Sequence, residues 1–153
     1  MKNLLKKHKG FTLVELLIVV GIIGILATLL MANFIGVRQR ARDAQRKSDL
    51  RQIQSALEIY RSDISTYPAT IYSSSCSTSA SLSGGSPANT YMSKVPCDPS
   101  SNANYTYTQT GSGTGYTLIT CLENLSDPQS DTALGGSDSC GSASTVSFTV
   151  KNP

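Results

Sequence analysis

Residues 6–27 read KKHKGFTLVELLIVVGIIGILA. A lysine cluster gives way at Phe11 to an apolar run that continues to Ile35, broken only by Glu15, Asn33 and two threonines. Roughly 20 apolar residues, each rising about 1.5 Å in a helix, cross a bilayer core, so the run is long enough to span one. It is too long for a secretory h-region and carries no small-x-small cleavage site at its far end. Glu15 is the anomaly. A carboxylate at the bilayer centre costs about 2.5–3.5 kcal/mol, and less near an interface; a helix N-terminus offsets about 0.3–1 kcal/mol of that. Glu15 is either a carboxylate tolerated at the interface or one kept for a task, and the second reading calls for a cation. Cutting the chain after Gly10 would free an α-amine on Phe11, four residues before Glu15. In a low-dielectric setting the two groups attract strongly, within one copy or between neighbours.

The remaining chain is of a different character. After Thr66 it is dominated by Ser, Thr, Gly, Asn and Asp, and 153 residues suffice for one domain with an appendage. The formal charge of +3 is carried by the leader: without the four lysines before Gly10, nine bases face ten acids. Net charge therefore gives no support to a nucleic-acid partner. Cys76, Cys97, Cys121 and Cys140 lie downstream of the apolar run, without C-x-x-C spacing and with no histidine after His8. Zinc is disfavoured, and two disulfides in an oxidising compartment are expected. Nearness in sequence suggests Cys76–Cys97 and Cys121–Cys140, with the other two connectivities open. Lysines before the span and Arg38, Arg40, Arg42, Arg46 and Lys47 after it pull the topology in opposite directions. The cysteines decide it, with the C-terminal region outside the cytoplasm.

Residues 37–63, VRQRARDAQRKSDLRQIQSALEIYRSD, contain neither Gly nor Pro and favour helix. Leu50, Ile53, Leu57, Tyr60 and Ile64 form one apolar stripe for a small sheet; Phe34, Val37, Ala41 and Ala44 form an earlier one for neighbouring subunits. The helix is predicted from about Phe11 to Ser62, with Tyr67-Pro68 ending the helical region. Interleaved Asp43 and Asp49, and the lack of alternating aromatics, make Arg38–Arg51 a solvated stem, or a segment pairing with acids on neighbouring subunits, rather than a DNA surface. Ile71–Ser93 reads as an irregular loop. YTYTQT (105–110) and YTLITCL (116–122) flank GSGTG as a hairpin, and TVSFTV (145–150) supplies a third strand. The predicted fold class is α+β, one long N-terminal helix on a small antiparallel sheet. Its segments are a basic leader (1–10), a membrane-spanning helix (11–35), an amphipathic stem (36–66) and a disulfide-stiffened β-rich region (67–153).

Lys9-Gly10, the aromatic Phe11, Thr12, Leu13, Glu15 and the unbroken apolar sequence after them resemble the N-terminus of type IV pilins and of type II secretion pseudopilins. The resemblance implies the pilin fold, cleavage between Gly10 and Phe11 by a membrane prepilin peptidase, and methylation of the new amine. It also implies that Glu15 pairs with the first residue of an adjacent subunit as the inner-membrane assembly machinery builds a helical homopolymer. The stem, DLRQIQSALEIYRSDISTYP, is similar to that of major pseudopilins and of related Gram-positive-type pilins. The chain departs from many family members in having no proline near Ala32; Gly21, Gly24 and Gly36 are its weak points, or else sites of close helix approach.

No catalytic constellation is expected. His8 lies in the leader, and GSGTG lacks the Lys-Ser/Thr of a phosphate loop. The resemblance to major pseudopilins raises calcium in the C-terminal loop: DPQSDTALGGSD offers Asp127, Asp131 and Asp138, though in no EF-hand spacing. Otherwise no cofactor is expected. The function expected is a structural subunit of a type IV pilus-like extracellular filament, membrane-held before assembly. The alternatives are the major pseudopilin of a type II secretion system, or a membrane-tethered binding module that never polymerises.

Overall fold

The computed structural model describes residues 10–73, 76, 81–133, 136, 139–140 and 143–152. The chain divides into two compact units, Met1–Arg38 and Gln39–Pro153. One helix, α1, runs from Leu13 to Ile64.

In the first unit, α1 begins with a capping box. The Thr12 amide donates to Glu15 Oε2 (2.9 Å) and the Glu15 amide to Thr12 Oγ1 (3.3 Å). Residues Leu13–Met31 form a 19-residue apolar window, none of it buried against other protein. Within it, the Thr28 hydroxyl donates to the Ile25 carbonyl, which spares the helix an unpaired polar group. Phe34 and Val37 of the earlier stripe are exposed as well.

In the second unit, α1 buries Leu50, Ile53, Ala56 and Leu57. The helix stops at Ile64, just short of Tyr67-Pro68, because Ser65 takes a left-handed conformation (φ 69°) and its amide closes on the Arg61 carbonyl. Three strands follow the predicted pattern: β3 (Thr106–Thr110), β4 (Gly115–Leu122) and β5 (Val146–Lys151), antiparallel in the order β3-β4-β5. Alternation along β4 sends Tyr116, Leu118 and Leu122 inward to join Val146, Phe148 and Val150, and these six share one core with the helix residues. Thr117 and Ile119 turn outward. The GSGTG link is a tight 3-10 turn with positive φ at Gly111, Ser112 and Gly113. At Gly111 the positive φ favours glycine, and a Cβ would sit on the Thr114 hydroxyl.

Segment 71–93 departs from its reading as a loop. It holds a separate hairpin, β1 (Leu82–Gly84) with β2 (Asn89–Met92), whose register slips between Leu82 and Ser83. Strands this short, with little β-branching, leave no periodic signal. Tertiary packing holds them instead: Leu82 enters the core, and Gly84 admits the Tyr60 ring. The cysteines pair as 76–97 and 121–140.

Candidate functional site

Three groups of residues bear on function. The first is the N-terminal motif. Gly10 and Phe11 precede the helix, and Phe11 is 84% exposed. Glu15 Oε2 accepts from both the amide and the hydroxyl of Thr12 (2.9 and 2.7 Å). Thr12 thus fixes the rotamer of the carboxylate that the sequence singles out. The local signal for this was present, since T-x-x-E before an apolar run is the capping-box pattern.

The second group is a buried polar clamp in the globular unit. The Arg46 guanidinium, almost inaccessible, reaches three carboxylates: Asp43 (2.7 Å), Asp98 (2.6 Å) and Glu123 (2.9 Å). Asp43 in turn accepts the backbone amides of Glu123 and Asn124 (2.9 and 2.8 Å), tying the end of β4 to the helix. Arg42 forks onto the Glu123 carboxylate. Burial disfavours ionisation of Asp98, yet the Arg46 bond and the amides of Ser100 and Ser101 prevail and hold it down at about 2. Glu123 is held below the ordinary carboxylate range, chiefly by Arg42. Asp49 goes the other way: burial pushes it up, against the hydrogen bond it accepts from Tyr105. The reading of Arg38–Arg51 as a solvated stem is therefore corrected. Arg42, Arg46 and Lys47 face the globular unit's own acids, while Arg38, Arg40 and Arg51 remain exposed. Only the Asp43–Arg46 spacing hinted at this, because the other partners lie 52 to 81 residues away.

The third group is the acidic loop after β4. Asp127 Oδ2 accepts from Lys47 Nζ (2.7 Å) and Oδ1 from the Gln129 amide (2.9 Å). Asp131 lies along the free edge of β5. Its carboxylate takes the hydroxyls of Ser147 and Thr149 (both 2.6 Å) and the Thr149 amide (3.1 Å), and its own amide donates to the Ser147 carbonyl (2.8 Å). This closes an otherwise open strand edge. Asp138 lies outside the described residues. Calcium requires six to eight oxygens with lone pairs turned to one centre. Asp127 and Asp131 are already committed to donors, one of them an ammonium. Among the described residues no three acidic, histidine or cysteine side chains gather as a metal site.

The Prokaryotic N-terminal methylation motif family matches residues 5–31, and the family described as Type II secretion system (T2SS), protein G matches residues 33–132. The Type II secretion system core protein G of Escherichia coli (strain K12) is 32% identical over 117 residues, covering 74% of this chain and 80% of that protein. The Pseudomonas aeruginosa protein of the same name is 32% identical over 101 residues, covering 63% and 71%. That of Pectobacterium carotovorum subsp. carotovorum is 38% identical over 64 residues, 42% of this chain and 41% of its own length. No solved structure matches the chain significantly. The extent of these matches settles the family: the chain belongs to the type II secretion system protein G family.

Proposed function

We propose that the chain is a pseudopilin, the structural subunit of a type II secretion pseudopilus, made as a prepilin and polymerised through its N-terminal helix. The observation that carries this reading is the likeness to protein G over residues 33–132. The methylation motif alone is common to pilins and pseudopilins; the protein G match extends past it, and so favours the secretion reading over an adhesive or motile pilus. Cleavage after Gly10 would expose the amine of Phe11, and Glu15 would attract the amine of a neighbouring copy across a distance where little water intervenes. Thr12 keeps that carboxylate at the helix start. The partners are a prepilin peptidase and methylase, further copies of the chain, and the inner-membrane assembly machinery. The role is structural and not enzymatic, and no nucleic acid is bound.

The test is Glu15→Ala in cells, read by intact mass, membrane fractionation and sheared polymer. The wild type should begin at Phe11, one methyl heavier and four hydrogens lighter than the reduced, unmodified chain. The variant should be cleaved and folded but stay in the membrane without polymer, and secretion should fail. Normal polymer and secretion with Glu15→Ala would defeat this reading. A wild-type mass retaining Met1–Gly10 would leave a tethered module.

A further inference from the structure

We infer that the Asn124–Asp131 part of the loop joining β4 to β5 is closed by protein donors in place of a calcium ion, with the Lys47 ammonium acting as the cation. A bound metal in such a loop would gather oxygens from distant segments. Here that work is shared among groups already in contact. Lys47, on α1, reaches Asp127 at 2.7 Å and Gln129 Oε1 at 3.1 Å, bridging 80 and 82 residues of sequence. The Asp127 carboxylate it holds is buried, and next to it Ser130 is fully buried.

Three of the loop's carbonyls are engaged as well. Asn124 accepts the Asp127 amide (3.1 Å), and Asp127 accepts the Ser130 amide and hydroxyl (3.1 and 2.8 Å). Asp131 accepts the Gly136 amide (2.6 Å). A hard cation would have to break several of these bonds and approach within a few ångströms of an ammonium. The disulfide 121–140 ties the loop's far part to β4, a covalent tie that no chelator can remove. The stability of this unit therefore answers to thiol redox state and not to calcium. This goes beyond the filament reading and is tested without any polymer.

The experiment is thermal unfolding of the full processed chain in detergent micelles, followed by circular dichroism in EGTA and in millimolar calcium. The two melting temperatures should agree within about 1 °C, while Lys47→Met should lower both by about 4–8 °C, the shift expected for losing a part-buried ion pair. Reduction with dithiothreitol should lower them further. A calcium-dependent rise of more than about 4 °C in the wild type would overturn the proposal. So would a Lys47→Met chain that melts with the wild type. If Lys47→Met does not fold, Lys47→Arg, which keeps the charge, should still melt identically in EGTA and calcium.

Discussion

Asp43→Ala tests the clamp that fastens β4 to the helix. Asp43 is 1% exposed, and its two oxygens serve three donors: Arg46 and the amides of Glu123 and Asn124. Arg46 would keep Asp98 and Glu123 after the substitution, so its charge stays compensated. The loss then falls on the two amides. Each orphaned donor costs about 1–3 kcal/mol when dry, and partial access to water places the sum near 3 kcal/mol. The globular unit spans 115 residues (39–153). At about 4 °C per kcal/mol for a unit of that size, the melting temperature should drop by about 12 °C. The assay is thermal unfolding in micelles with urea unfolding alongside. Arg46→Met should cost more, about 3–5 kcal/mol, because it strands carboxylates around one empty position. Their double mutant should fall well short of the sum, since both act through one contact. A shift below about 3 °C for Asp43→Ala would mean that water replaces the carboxylate, and that the clamp is not a structural necessity.

Acid should act through the same cluster. Asp98 and Glu123 are depressed in the folded state, so their stabilisation is complete above the unfolded value and is lost as pH falls through the folded one, between about 4 and 2 for Asp98. Asp49, raised by burial, acts in the opposite sense and recovers some stability as it protonates. Melting temperatures should be flat near neutrality and fall below about pH 4, and Asp98→Asn should flatten that fall. Gly113→Ala should cost about 1–3 kcal/mol in urea unfolding. Its φ is 93°, a Cβ would press on Thr66 at 3.2 Å, and its carbonyl receives the Tyr67 amide that docks the chain after the helix.

How much of this was legible depended on distance along the chain. The long helix, the hairpin flanking GSGTG and the strand after Thr145 were readable because periods of 3.6 and 2 are local. The capping box carried a local signal too, spanning only the four residues from Thr12 to Glu15. The clamp was not. Arg42 and Glu123 look like an ordinary stem base and an ordinary loop acid until the sheet brings them together. Asp131 presents the same difficulty more sharply. Set among Asp127, glycines and serines it suggests a metal loop, yet its partners are the hydroxyls and amide of β5, which no spacing rule connects to it. The β1–β2 hairpin escaped for another reason. Its residues owe their conformation to Tyr60 and the core and have little propensity of their own.

The two units divide the chemistry between them. In residues 39–153, Asp43, Asp49, Glu58, Asp98, Glu123, Asp127 and Asp131 each accept a bond from within that same unit. These seven carboxylates find their donors inside the unit. The first unit does not satisfy itself: Val19, Ile25 and Leu30 are 47%, 65% and 73% exposed, and such a surface needs lipid or other copies of the helix. Lesions in the two units should therefore cross. Asp43→Ala should lower the melting temperature while leaving cleavage at Gly10 unaffected, whereas Glu15→Ala should abolish polymer with a melting curve superimposable on the wild type. If Glu15→Ala instead unfolded the globular unit, the assembly helix and the domain would be one cooperative body, and its effect on polymer could no longer be assigned to an intersubunit contact.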